Sequence, residues 1–131
     1  MKYACLCYEE ESKLSAMPKS EWDALVQEVY AYNEELTAKG QLISSQALQP
    51  VKNATTVRVR NGRTITTDGP FAETKEQLGG ILILEATDLN HAIQLMSKHP
   101  GVRGGSFEVR PTEDLTQMIR ESSERRRSMS K

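Results

Sequence analysis

The chain has 131 residues and a mass of 14.7 kDa, enough for one domain with a modest core. Seventeen Lys and Arg stand against eighteen Asp and Glu, a formal charge of −1, which argues against a field that gathers nucleic acid or an anionic membrane. The longest apolar run, Ile81 to Leu84, is far too short for a membrane span, and the first residues lack the apolar core of a signal peptide, so a cytoplasmic protein is expected.

In chain order, Lys2 to Tyr8 alternates Tyr3, Cys5 and Cys7 with Ala4, Leu6 and Tyr8, which predicts a strand covered on both faces. Cys5 and Cys7 then leave the same face, a poor geometry for bridging each other, and buried reduced thiols are the expectation. The acidic run Glu9-Glu10-Glu11 reads as a solvated loop. Trp22, Leu25, Val26, Val29 and Leu36 recur at helical spacing, with Ser20 as N-cap and Gly40 as the stop. Leu42 to Leu48 is a second strand. Thr55 to Arg60 and Arg63 to Thr67 form a hairpin about an Asn61-Gly62 type I′ turn, with Arg58, Arg60 and Arg63 as its charged outer side. Ala72 to Gln77 is a loop or one exposed turn, and Gly79-Gly80 opens the central strand Ile81 to Leu84. Thr87 or Asp88 caps a helix facing inward through Leu89, Ala92, Ile93 and Met96, which His99-Pro100-Gly101 ends. Ser106 to Arg110 is the last strand. Thr112 caps a short helix carrying Leu115, Met118 and Ile119, and apolar periodicity disappears from Ser122 onward.

Strand, helix, strand, hairpin, strand, helix, strand is a split βαβ repeat with an inserted hairpin. The expected fold is α+β: a ferredoxin-like antiparallel sheet with two helices on one face. The domain spans 1–111, and 112–131 forms a short helix and a basic, partly disordered tail around Arg125-Arg126-Arg127. Two helices leave the other sheet face bare although its strands are apolar on both sides. A second copy packed face to face, as a homodimeric α+β barrel, is the simplest cover. The alternative is that the segment after Pro111 folds back over the sheet.

Asp68-Gly69-Pro70-Phe71-Ala72-Glu73-Thr74-Lys75-Glu76, with Ala54 to Arg58 before it, Leu78-Gly79-Gly80 after it and Glu108 to Pro111 near the end, resembles the DGPF-motif branch of the YCII-related family over about residues 1 to 111. The resemblance implies a dimeric α+β barrel. Some members are similar to enzymes that use a His and Asp pair for dehydrochlorination, and DGPF-type proteins are often associated with extracytoplasmic-function sigma factors. No histidine precedes His91, so only Asp68 carries over by motif.

Two classes of function follow. In the first, an enzyme-like protein does proton transfer or elimination on an unknown small molecule in a pocket near Asp68. His99 is the second catalytic candidate, Gly69, Pro70, Phe71, Glu73, Thr74 and Lys75 the ligand-binding ones, Phe71 walls off water and Lys75 anchors an anionic group. In the second, the protein is a non-catalytic binding or regulatory module with a possible sigma-factor link. The blander reading of Asp68 is an Asx turn, with its carboxylate held by backbone N–H groups. That of Glu73, Lys75 and Glu76 is an exposed charge cluster, and His99 at a helix end has a capping role favouring imidazolium. Ligand spacing for a metal and phosphate-loop motifs are both lacking, so no cofactor is expected, nor a nucleic-acid partner.

Overall fold

A computed structural model describes residues 1–130; Lys131, the last residue of the basic tail, lies outside the described residues. In chain order the elements are β1 (Lys2–Glu9), α1 (Glu11–Ala16), α2 (Lys19–Ala38), β2 (Leu42–Ala47), β3 (Thr55–Arg60), β4 (Arg63–Asp68), β5 (Gln77–Glu85), α3 (Leu89–Ser97), β6 (Gly105–Pro111) and α4 (Leu115–Met129), with short 3₁₀ turns at Val51–Asn53 and Pro100–Arg103. The main sheet has the order β2-β5-β1-β6 and is antiparallel throughout. It is the ferredoxin-like arrangement expected from the order of elements, with α2 and α3 on one face.

Alternation along β1 turns Tyr3 and Cys5 toward the helices, where they join Leu82, Leu84, Leu36 of α2 and Ala92 and Met96 of α3 in one core. A fully buried leucine such as Leu84 contributes about 1.5–3 kcal/mol relative to exposure. Tyr32 ties the helices together, its hydroxyl donating to the Leu95 carbonyl at 2.6 Å. Both cysteines are buried and unbridged, and burial pushes each thiol up to about 11. Ala4, Leu6, Ile81 and Ile83 point to the opposite face and are half-buried, with Ala4 opposite Ile83 and Leu6 opposite Ile81.

Several local expectations are corrected. Of the run Glu9-Glu10-Glu11 expected as a solvated loop, Glu9 ends β1 and Glu11 opens the helix α1, because Glu11 favours the positive end of a helix dipole and Leu14 supplies an apolar contact side. Helix α2 starts at Lys19, since Pro18 has the backbone to precede a first turn and its carbonyl accepts from the N–H groups of Glu21 and Trp22; Ser20 lies inside the helix. Asp88 caps α3 by accepting from the His91 N–H at 2.8 Å, but Leu89 and Ile93 are exposed and Leu95 packs against the core instead.

Asp114, not Thr112, caps α4 by accepting from the Gln117 N–H, and the helix runs to Met129. Apolar period reports packing, whereas Gln117 donating to Glu121 one turn on and a run of helix-forming side chains suffice for the helix itself. Every described position of α4 is exposed, so it does not cover the bare sheet face.

Hairpin β3–β4 forms a separate two-stranded sheet, closed at Asn61-Gly62 with both φ values positive as a type I′ turn requires. It leaves Val57, Val59 and Ile65 exposed.

Candidate functional site

The first half of α2 stands off the sheet. Of its apolar stripe only Leu36 is buried, while Trp22, Leu25, Val26 and Val29 line a cavity of about 400 Å³ against Cys7, Leu82 and Phe107. A stripe that reads as core in the sequence therefore forms one wall of a cleft, which is why Trp22 and Val26 remain exposed.

Glu9 enters this cleft from the floor. It continues the Tyr3, Cys5, Cys7 side of β1 and lies between the two neighbouring strands where both carry glycine, Gly79 on β5 and Gly105 on β6. Gly79 is the extra residue of a bulge, skipped between the pairs Cys7–Gly80 and Tyr8–Leu78. A Cβ added there would fall 1.9 Å from Glu9 Oε1, so the missing side chain is the space that the carboxylate occupies. The three consecutive glutamates separate by role. Glu10 pairs with Lys13 and Lys75, Glu11 Oε2 accepts from the Val51 N–H at 3.0 Å, and Glu9 has no hydrogen-bond or ion-pair partner among the described residues. Burial first, and the charge of Glu11 second, hold its carboxyl above the usual range. Beside it the Cys7 thiol is raised by burial and by Glu9 itself, so it stays neutral and a poor nucleophile.

At the far end His99 is 5% exposed and saturated. Its Nδ1 accepts from the Gly101 N–H at 2.9 Å and its Nε2 lies 3.2 Å from Asn33 Oδ1, with Tyr32 and Phe107 edge-on to the ring. Desolvation pushes the imidazole down to about 4, so the ring is neutral rather than the imidazolium expected from a helix end.

The DGPF segment lies elsewhere. Asp68 ends β4 opposite Thr55, is exposed, has no side-chain partner among the described residues and lines none of the cavities described here. The expected Asx turn is absent because the hairpin's backbone holds the bend. Gly69, at φ +110°, donates from its N–H to the Ala54 carbonyl, and its carbonyl accepts from Thr56 Oγ1. Pro70, Phe71 and Thr74 line a separate, largely apolar hollow of about 590 Å³ with Tyr8, Leu48 and Leu78. Gly69, Glu73 and Lys75 do not line it. Thr74 Oγ1 donates to the Glu76 carbonyl. Phe71 is 79% exposed in the single chain, under the Arg58 guanidinium. A third hollow lies between the two, sharing Leu48 and Pro50 with the first and Glu9, Trp22 and Gly79 with the cleft.

The structure thus does not bring Asp68 and His99 to one cavity; it brings Glu9, Asn33, Cys7 and His99 to one. Glu9 was legible from strand parity with Cys7, and Asn33 from its place on the stripe Trp22, Val26, Val29, Asn33. No group of three or more His, Cys, Asp or Glu among the described residues is arranged to hold a metal, and no helix among them is long and apolar enough to cross a membrane.

Comparison with solved structures finds the fold again in 5-chloro-2-hydroxyhydroquinone dehydrochlorinase (TftG) from Burkholderia phenoliruptrix AC1100, solved with 2,5-dihydroxybenzoquinone. The TM-score is 0.53 at 15% identity, covering 86% of this chain and 94% of that one. An uncharacterized protein of Rhizobium meliloti (strain 1021) is 39% identical over 115 residues, 85% of this chain and 91% of its own length. Residues 1–116 match the YCII-related domain, and the chain therefore belongs to the YCII-related family.

Proposed function

We propose that this protein binds a small, ring-sized organic molecule in the cleft between α2 and the sheet and moves a proton on it through Glu9. The observation that carries this reading is the Glu9 carboxylate, unpartnered among the described residues, raised by burial and lodged in the gap left by Gly79 beside a cavity of about 400 Å³. A raised carboxylate is a stronger base than an ordinary one and lies closer to neutrality, as general acid or base work favours. The apolar wall of Trp22, Val26, Val29 and Phe107 suits a flat hydrocarbon face. The dehydrochlorinase of similar fold acts on a chlorinated hydroxyhydroquinone, and an elimination of that kind begins by taking a proton.

Trp22 is the only tryptophan in the chain and lines the cleft, so its fluorescence reports occupancy. Titration with 2,5-dihydroxybenzoquinone is expected to quench it saturably, and to do so in Glu9→Gln as well, while any turnover found with a halogenated hydroquinone disappears in that variant. Linear, non-saturating quenching in the wild type would overturn the cleft as a binding site. The non-catalytic reading also has an observation behind it: with His99 saturated, Glu9 is the one group in the cleft suited to move a proton. Unchanged turnover in Glu9→Gln would overturn Glu9 as the proton carrier, and no turnover in either protein despite binding would favour the non-catalytic reading.

A homodimer belongs to the same proposal. Ala4, Leu6, Ile81 and Ile83 form an apolar strip on the sheet face opposite the helices, and hairpin β3–β4 extends Val57 and Val59 into the open. A second copy of the chain covers such a face at a gain of about 25 cal/mol for each Å² of apolar surface removed from water. Light scattering is expected to give twice the chain mass; a monomer at micromolar concentration would contradict this.

A further inference from the structure

We infer that His99 is a positioning residue that turns the Asn33 amide into a fixed hydrogen-bond donor, so that the cleft selects ligands carrying an acceptor oxygen opposite Glu9. The inference rests on the cleft reading above and adds the chemistry of the ligand's second end. The Gly101 N–H donates to His99 Nδ1 at 2.9 Å, which requires that nitrogen to be unprotonated. A neutral ring then carries its proton on Nε2, and this N–H faces Asn33 Oδ1 at 3.2 Å. The amide orientation follows from the same chain of bonds, because a flipped Asn33 would set its NH₂ against the Nε2–H. Nδ2 of Asn33 consequently has no partner among the described residues, and it is not among the buried polar atoms left unsatisfied, so it keeps accessible surface on a residue that lines the cavity. Tyr32 and Phe107 hold the imidazole edge-on from two sides, and Tyr32 is itself tied to Leu95, so the donor has little freedom to turn away.

The cleft therefore offers an acceptor or proton-taking carboxylate at Glu9 and an amide donor at Asn33, with Trp22, Val29 and Leu82 among its apolar walls and Ser45 and Gln46 of β2 lining it as well. The ligand class that fits is a planar ring with a carbonyl or phenolate oxygen at one end and an acidic C–H or O–H at the other.

The test uses acetophenone and ethylbenzene, which share a shape and differ in the carbonyl, followed by amide shifts of the cleft residues in the wild type and in Asn33→Asp. That variant still accepts from His99 Nε2 but offers the cavity no donor. Acetophenone is expected to bind Asn33→Asp about three- to tenfold more weakly than the wild type, the worth of one hydrogen bond, with ethylbenzene unchanged. Equal effects on both probes would overturn the donor role and leave the cleft reading standing. Wild type that binds neither probe would overturn both. Independently of any ligand, nitrogen NMR of the wild type is expected to show His99 protonated at Nε2 alone, and a proton on Nδ1 would overturn the orientation.

Discussion

Glu9 and Asp68 are both carboxylates at strand ends beside a glycine, yet their surroundings differ in every respect that matters for chemistry. Glu9 ends a central strand, has neighbours on both sides, and sits against a bulge that partly buries it. Asp68 ends one strand of a two-stranded arm, and solvent reaches it freely. A glycine-rich polar motif is thus not in itself a site; what makes a carboxylate useful is desolvation with room left for a ligand, and a central strand provides that where an edge hairpin does not.

The contrast can be broken or sharpened by substitution and by pH. The largest effect is expected from Gly105→Ala, whose Cβ would lie 2.2 Å from the Tyr8 carbonyl oxygen. Backbone cannot swing aside as a side chain can, so β6 must shift from β1, and urea denaturation should show a loss of about 3 kcal/mol.

Next in size is the pH response of His99. Its folded pKa is lowered from 6.5 to about 4, so between these values the unfolded chain binds the proton more tightly and stability falls as pH falls. The loss should approach roughly 3 kcal/mol across that window, and denaturation series in His99→Asn should lack it.

Gly79→Ala is expected to behave unlike Gly105→Ala although its nominal overlap is closer. The atom it meets is Glu9 Oε1, the far end of a flexible side chain, which can rotate into solvent. Stability should change by less than about 1 kcal/mol, while saturable quenching of Trp22 weakens as the carboxylate leaves the cleft. Smallest is Asp68→Ala, with stability expected within about 0.5 kcal/mol of wild type and ligand-induced quenching unaltered; a clear loss of binding there would return the site to the DGPF segment.

The architecture was readable from sequence because it depends on patterns that one chain carries locally: alternation in Lys2 to Tyr8, the helical stripe from Trp22 to Leu36, the Asn61-Gly62 turn and a cap at Thr87 or Asp88. Tertiary placement was harder. A stripe tells which side of a helix is apolar and not whether a sheet reaches it, so Trp22 and Val26 read as core when they face a cleft. Glu9 reads with Glu10 and Glu11 as solvated because a charge run is usually a loop, although β1 continues through it in phase with Cys7. The sequence locates His99 at a helix end, but its burial by Tyr32 and Phe107 comes from distant parts of the chain and reverses the expected charge. The helix beyond Ser122 has no apolar signature because its described positions are exposed and nothing imposes an apolar period on them.

The central claim is that the Glu9 carboxyl lies desolvated in the cleft floor, and carbon-detected NMR titration of that one side chain tests it most directly. The folded protein should hold the Glu9 proton more tightly than the unfolded chain, so the resonance titrates above the usual carboxylate range, stability falls as pH rises through that point, and Gly79→Ala moves the titration back toward ordinary values. A Glu9 that titrates as an ordinary exposed glutamate in the wild type, unaffected by the substitution at Gly79, would contradict the account.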